Sequence, residues 1–367
     1  MAKTICHITT VHKSKDMRIF YKECVSLAKA GFNVKLIVIN GESETVDGVE
    51  IIGVPCQFNS KLQRFVKAGK AAYEKALQLN AAIYHFHDPE FLWYGYKLVK
   101  QGKKVIYDAH EDVPRQILGK AWIPAVLRKP FSFLFEKFEN YFAARLTGIV
   151  TVTDFIEERF LKVNPNTITV KNFPILAMLP QPGNWENKKD WLCYIGDITR
   201  VRGIIEMVKP LEGLPVKLAL GGKFSQAGLR EETTQLAGWQ NVIEYGFVNR
   251  VQAKEMLQQS KIGLVLLHPI INYQDALPVK LFEFMAAGIP VIASNLRLQQ
   301  QIVEENNCGM VVDIFDTQAV QAAIMFLINN PEQAKAMGMN GRQAVEEKFS
   351  WGNEGEKLVT YYKRLIE

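Results

Sequence analysis

Two doubly wound α/β domains are the fold this sequence predicts, on three observations. Short apolar runs rich in β-branched residues alternate with stretches of helical period, the alternation occurs twice, and a proline-rich stretch separates the two series. The first series comprises Thr4–Ile8, Val34–Ile39, Ala82–Phe86, Val105–Tyr107 and Ile149–Val152, with helical period over Tyr21–Ala30 and Leu62–Gln78. Such brief apolar runs suit strands buried on both faces, and helical crossovers are what parallel neighbours require. The second comprises Leu192–Ile195, Lys217–Leu220, Val242–Tyr245, Ile262–Leu266, Val291–Ala293 and Gly309–Val312. Between them, residues 172–187 hold three prolines and a glycine without period, as an interdomain connection does, and the boundary is expected near residue 180. Open parallel sheets bind ligands outside the carboxyl ends of their strands, so the crevice between the domains is the expected site.

Composition narrows the class. With 48% hydrophobic and 22% charged residues in 367, the chain is globular and long enough for two cores. Cys6, Cys24, Cys56, Cys193 and Cys308 are odd in number and lack C-x2-C spacing. That argues against a disulfide framework or zinc site and suits a reducing cytoplasm. The apolar run before His12 is too short for a secretory core segment, and no stretch approaches the roughly 18 apolar residues of a membrane span. Residues 1–180 carry 25 Lys and Arg against 17 Asp and Glu, whereas 181–367 carry 19 against 21. The basic half suggests an anionic partner, nucleic acid or membrane surface, or simply a soluble basic face; no nucleic-acid motif accompanies the charge.

The most informative segment is Asp275-Ala-Leu277-Pro278-Val-Lys280-Leu-Phe-Glu283-Phe-Met-Ala-Ala-Gly288-Ile-Pro290. The Gly288-Ile289-Pro290 turn cannot continue a helix, so a helix over Leu281–Ala287 has its first turn near Pro278–Lys280. Free backbone N–H groups and the positive dipole end favour a phosphate there, and Lys280 adds a full charge. Glu283, inside the helix, suits a ribose diol; Asp275, in the preceding loop, suits donor-sugar hydroxyls. Leu277 and Pro278 join them as donor-binding candidates.

This wording resembles the E-x7-E signature of the retaining glycosyltransferases of family 4, with Asp275, one methylene shorter, at the first acidic position. The resemblance implies the GT-B architecture over nearly the whole chain. It would give an N-terminal, acceptor-side Rossmann-like domain over 1–180 and a nucleotide-sugar-binding one over 181–348. A C-terminal helix over 349–367 would then cross back to the first.

Cys193-Tyr-Ile-Gly196-Asp197-Ile-Thr-Arg-Val-Arg202-Gly203 reads as strand, glycine turn and helix start. It resembles the family loop that grips the donor diphosphate. Asp197 stands where the first cation is usual and Arg202 fills the second place, which makes Arg202 the principal diphosphate ligand, with Lys280 making up for the missing cation. Gly222-Lys223 licenses only close backbone approach. Gly246-Phe247-Val248 resembles the segment whose backbone reads the base, and is equally a plain strand-end turn.

In the first half, Tyr84-His85-Phe-His87-Asp88-Pro-Glu90 and Tyr107-Asp108-Ala-His110-Glu111-Asp112 follow strand ends. Histidines and acids gathered there raise the question of a metal, but no H-x3-H, H-E-x2-H or D-x-D spacing occurs and none is expected. The resemblance gives His110 the contact with the donor sugar near the reacting carbon. His12, Asp16, Arg18, His87 and Asp88 are acceptor-side or sugar-side candidates. Asp16 and Arg18 are equally suited to a structural ion pair, and His85 and His87 to buried hydrogen bonding.

Segment 120–142 alternates basic residues with large aromatics and reads two ways. As a membrane-surface helix it would lay its aromatics at the interface. As a core element it would bury Phe131, Phe135, Phe138 and Phe142, at helical spacing, and leave Trp122, Arg128 and Lys129 on the surface, which is the expectation adopted.

Taken together, the chain is expected to be a metal-independent, retaining hexosyltransferase without a cofactor. It would move a sugar from a UDP- or GDP-sugar to a lipid-linked or cell-surface glycan hydroxyl, in the cytoplasm or peripherally on the inner face of the plasma membrane. A sugar-nucleotide epimerase of the same fold and a non-catalytic, sugar-nucleotide-binding membrane scaffold are the alternatives.

Overall fold

The computed structural model describes residues 2–120, 122–179 and 181–367. Ala121, in the aromatic segment, and Pro180, at the expected boundary, lie outside the described residues. One sheet contains β1 (Thr4–Thr9), β2 (Asn33–Ile39), β3 (Glu44–Val46), β4 (Val49–Val54), β5 (Ile83–Phe86), β6 (Lys104–Ala109), β7 (Gly148–Thr151) and β8 (Thr167–Thr169), in the order β3-β4-β2-β1-β5-β6-β7-β8. The other contains β9 (Lys189–Ile195), β10 (Lys217–Gly221), β11 (Val242–Gly246), β12 (Ser260–Val265), β13 (Val291–Ser294) and β14 (Gly309–Val312), in the order β11-β10-β9-β12-β13-β14. Every pairing is parallel except β3 with β4. Each sheet reverses its strand order beside the first strand of its series, β1 or β9, as a doubly wound sheet does.

Two compact units result. One joins Met1–Asn172 to Trp351–Glu367, and the other is Phe173–Ser350. The division falls a few residues before 180 because Phe173 belongs to the second core, where its ring meets Phe282 at 4.9 Å and Phe349 at 5.4 Å. Phe349 is thereby held in the second unit, and the C-terminal helix begins at Trp351. In the first unit Trp351 Nε1 donates to Ser26 Oγ at 2.9 Å, and Tyr361 Oη donates to the Asn166 carbonyl at 2.6 Å.

Strands β3, β4 and β8 were not foreseen. The β3–β4 hairpin turns on Asp47-Gly48, both with positive φ (50° and 79°), the backbone that a two-residue hairpin loop requires.

The aromatic segment corrects a more consequential expectation. Helix Ala125–Ala143 buries Ser132, Glu139, Phe142 and Ala143, while Phe131 and Phe138 are exposed; of the expected stripe only Phe142 is core. The buried face is partly polar and held by partners on other elements. Ser132 Oγ donates to the Pro114 carbonyl at 2.7 Å, Tyr107 Oη to Glu139 Oε1 at 3.0 Å, and Arg159 Nη1 lies 2.8 Å from Glu139 Oε2. Because these partners fix one face inward, Leu127, Phe131, Leu134, Phe138 and Tyr141, spaced by three or four, point out. Among the described residues no helix is long and apolar enough to cross a membrane.

Candidate functional site

In the second unit, the chemistry gathers where β9, β10 and β11 end. Gly196 N donates to the Gly221 carbonyl at 2.8 Å and Gly222 N to that of Gly246 at 2.6 Å, tying the three strand ends together. A Cβ on Gly222 would lie 1.8 Å from the Gly196 carbonyl oxygen, and one on Gly196 would lie 2.3 Å from Lys280 Nζ. Both positions have positive φ, so glycine serves the turn and the close approach together.

Lys280 is the second residue of helix Val279–Ala286, whose N-cap, Pro278, provides no side-chain cap. Its ammonium lies 3.2 Å from Tyr194 Oη and 4.5 Å from the centroid of that ring. Burial pushes the Lys280 amine down to about 8 and Arg202 pushes the same way, against the pull of Glu283 and Asp197. Arg202 Nη1 would stand 4.0 Å from a Gly196 Cβ, so the two cations converge on one turn. Arg202 engages Tyr273 and Tyr194, and its Nη1 lies 3.6 Å from Asp197 Oδ2. The acid that replaces the expected cation is thus Arg202's own ion-pair partner.

Glu283 follows Lys280 by three residues on the same helix and therefore lies on its face. Asp275 accepts a hydrogen bond from Nη2 of Arg297, the first residue of helix Arg297–Glu305. Leu277 is half-buried against the second core. Phe247 is 71% exposed with Lys223 Nζ 5.4 Å from its ring centroid, while Val248 packs on Gly221. One pair in this unit was missed altogether: His268 Nε2 and Glu206 Oε2 lie 3.0 Å apart and neither atom has another hydrogen-bond partner.

In the first unit, β1, β5 and β6 bring His7, His85, His87 and Asp108 together, with His110 just past β6. The π-helical segment Met17–Cys24 adds Arg18 and Glu23, and the C-terminal helix adds Tyr362. Asp108 is the hub. Its Oδ1 accepts from Arg18 Nη2 at 3.0 Å; its Oδ2 accepts from Arg18 Nε at 3.1 Å, His87 Nδ1 at 3.1 Å and His110 Nε2 at 2.6 Å. Burial opposes its ionisation, but the Arg18 charge and the hydrogen bonds from His110 and His87 outweigh burial and hold Asp108 well below the usual carboxylate range. Glu23 goes the other way, raised well above its ordinary value by burial and by Asp108, with Arg18 Nε 3.0 Å from Oε1. Burial likewise lowers His7 and His85 well below the usual histidine value, and brings His87 to about 4 in spite of Asp108.

These contacts revise several roles. Asp16 does not pair with the Arg18 side chain; its Oδ1 caps the Arg18 and Ile19 backbone N–H groups at 2.8 and 3.0 Å. Arg18 and His87 are buried with their nitrogens already engaged, so they support the site rather than touch an acceptor. Asp88 is buried too, its Oδ2 accepting from Thr9 Oγ1 at 2.8 Å and Thr10 N at 2.6 Å, with His12 Nε2 3.7 Å from Oδ1. His12 and His110, ring centroids 5.6 Å apart, keep partly exposed surface. Among the described residues two sets of side chains could ligate a metal: His7, Glu23, His85 and His87, and Glu23, His87, Asp108 and His110, each with ligating atoms within 4.8 Å of one another. Motif spacing did not reveal these sets, because their members come from separate elements.

Two family models match the chain, one described as Glycosyltransferase Family 4 over residues 18–171 and one as Glycosyl transferases group 1 over 179–344. The chain is 20% identical over 298 residues to the MMP alpha-(1->4)-mannosyltransferase of Mycolicibacterium hassiacum, covering 76% of this chain and 70% of that protein. Several further curated relatives align over about half of their own length or less. Among solved structures, sucrose-phosphate synthase from Thermosynechococcus elongatus matches with a TM-score of 0.76 at 19% identity over 99% of both chains. Anabaena HepE in complex with UDP and glucose matches with a TM-score of 0.72 at 12% identity, over 98% of this chain and 99% of that one. At these identities the likeness shows the fold, two parallel-sheet domains of the GT-B type.

Proposed function

The chain belongs to the family 4 glycosyltransferases, and we propose that it transfers a hexose from a UDP- or GDP-sugar to a hydroxyl of a lipid-linked or cell-surface glycan, with retention and without a metal ion. The observation that carries this reading is the crowding of Arg202 and Lys280 over Gly196 at an uncapped helix start, strong enough with burial to bring Lys280 down to about 8. Two cations that repel each other are both stabilised by an anion between them, and a nucleoside diphosphate carries that charge. The complex of HepE with UDP and glucose supports a nucleotide-sugar donor on this fold.

In this mechanism the bond from the anomeric carbon to the diphosphate breaks while the acceptor oxygen attacks from the same face, and the departing phosphate takes the acceptor's proton. The chain's own task is to stabilise the leaving charge, through Arg202, Lys280 and the helix start, while Glu283 holds the ribose. Asp275 and His110 orient the sugar. The Arg297 ion pair fixes where the Asp275 carboxylate points.

The acceptor side of the reading draws on helix Ala125–Ala143. Leu134 is 62% exposed, Phe133 59% and nearby Trp122 77%, among Lys120, Arg128, Lys129 and Lys137. Exposed aromatics among basic residues suit an anionic bilayer, where each nearby Lys or Arg adds about 1 kcal/mol. This supports a peripheral position on the inner face of the plasma membrane, next to a lipid-linked acceptor.

Thermal stabilisation by UDP, GDP, ADP, CMP and their sugars, without metal, tests the donor reading against Glu283→Ala. A shift with one nucleotide family that the variant lacks supports it. Donor conversion without acceptor would instead favour an epimerase, and no shift at all would remove the donor pocket.

A further inference from the structure

We propose that Tyr362, His7, His87 and Asp108 form a one-way hydrogen-bond chain. It holds the His110 imidazole with a proton on Nε2 and leaves Nδ1 to accept a hydrogen bond from a donor-sugar hydroxyl. The final contact rests on the glycosyltransferase reading of His110; the chain itself does not.

The direction follows step by step from one end. Asp108, ionised and forked by Arg18, has no proton to give, so His87 Nδ1 at 3.1 Å and His110 Nε2 at 2.6 Å must both donate to it. Their convergence on one oxygen accounts for the 3.3 Å between those two nitrogens. A neutral His87 protonated on Nδ1 has a bare Nε2, and His7 Nδ1, 2.9 Å away, is therefore a donor. His7 Nε2 is then bare and accepts from Tyr362 Oη at 3.2 Å. With its proton so directed, Tyr362 Oη accepts from His85 Nδ1 at 2.5 Å.

His85 Nε2 is left as an acceptor, and it is the ring nitrogen of this set that is buried without a partner. The reverse direction would put a proton on that nitrogen, stranding a buried N–H, and would need a proton on Asp108. An unmet acceptor is the less costly of the two. Burial and ring packing, with His85 tilted against His7 at 4.7 Å between centroids and His87 stacked on it at 5.2 Å, keep the rings from turning.

Every link but the last is fully enclosed, while the His110 side chain stays 18% exposed with no hydrogen bond to Nδ1 among the described residues. Asp108, His87, His7 and Tyr362 are thus positioning residues for His110. Tyr362 brings the C-terminal helix into the same device. His7, His85 and His87 each place Nδ1 4.0 Å from Glu23 Oε2, so a metal ion among them would need Nδ1 lone pairs to which the chain assigns protons, and the two states exclude each other.

Long-range proton–nitrogen correlation spectra of the intact protein with 15N-histidine, at about pH 8, test this directly, with signals assigned by single His→Gln replacements. The expected result is Nδ1–H in His7, His85 and His87 and Nε2–H in His110. Nδ1–H in His110, Nε2–H in His7 or His87, or a stoichiometric bound metal ion overturns the chain. In the folded Asp108→Asn variant kcat is expected to fall on the order of 10²-fold with a smaller change in donor KM, the upper end of what losing an outer-shell partner that orients a histidine costs. Unchanged kcat there overturns the positioning role. Should no donor be turned over, the spectra still decide the chain, and the failure belongs to the glycosyltransferase reading.

Discussion

Arg18 in the first unit and Arg202 in the second are both cations at the heart of a cluster, but their surroundings differ. Arg18 is buried, with two Asp108 oxygens at 3.0 and 3.1 Å and Glu23 at 3.0 Å. Arg202 is partly open, 3.6 Å from the mostly exposed Asp197, with Lys280 beside it. The first cluster balances its charge internally and hands geometry to His110; the second keeps surplus positive charge for a ligand. Removing the buried cation of the first should act mainly on stability, whereas changes in the second, like those at the Asp108–His110 end of the first, should act on turnover.

The comparison breaks most sharply at Arg18. Arg18→Met leaves Asp108 and Glu23 buried without their cation, and is expected to destabilise the protein by about 3 to 5 kcal/mol in denaturant titration; an unchanged unfolding midpoint would refute the internal balance. Lys280→Ala and Arg202→Ala should each lower turnover at least about 10²-fold, while their unfolding midpoints stay close to that of the parent. Near-normal activity in both would sink the assignment of the diphosphate to this corner.

Acid and alkali should separate the units further. His87, lowered to about 4 by burial, leaves the unfolded chain binding the extra proton between that value and the ordinary 6.5. Stability therefore rises with pH across that window, and going from pH 7 to pH 5 should remove about 2 kcal/mol. His7 and His85, also lowered by burial, add in the same direction. His87→Gln should flatten the profile. Lys280, lowered to about 8, must be protonated to meet a phosphate, so donor affinity should weaken as pH rises through about 8; calorimetry should show proton uptake on binding near that pH.

The smallest effect on the fold is expected at the exposed stripe. Phe131→Ser with Phe138→Ser should shift stability by no more than about 0.5 kcal/mol, yet reduce sedimentation with anionic vesicles. A large loss of stability would return these rings to the core.

The second cluster was the more legible because its parts fall in two short stretches, each with a readable motif. Arg202, Lys280 and Glu283 lie in two short segments, and the helix expected at Leu281–Ala287 spans Val279–Ala286. What escaped there lies farther along the chain: Arg297, which pairs with Asp275, stands 22 residues away, beyond a helix and β13. The first cluster was half legible. His87 and His110 stood out at strand ends, but Glu23 reads as an ordinary charge within a helical period. The π-helical turn at Met17–Cys24, where Tyr21 N reaches back to the Asp16 carbonyl at 3.3 Å, moves Arg18 and Glu23 inward against that period. Helix Ala125–Ala143 misled for a related reason: side-chain spacing reports that a stripe exists, while Glu139 and Ser132, held by partners on other elements, decide which stripe is buried. The Asp47-Gly48 hairpin carried a readable signal that a search for parallel strands passes over.

The two-part make-up of the first unit also sets an order of assembly during synthesis. Residues 173–350 form one unbroken stretch and can fold as soon as they leave the ribosome. His7 must wait for Tyr362, 355 residues later, before its Nε2 finds a partner. The second unit is therefore finished first, and the histidine cluster closes only when the final helix arrives, so premature termination after residue 350 leaves a folded second unit attached to a first unit without its Tyr362 hydroxyl.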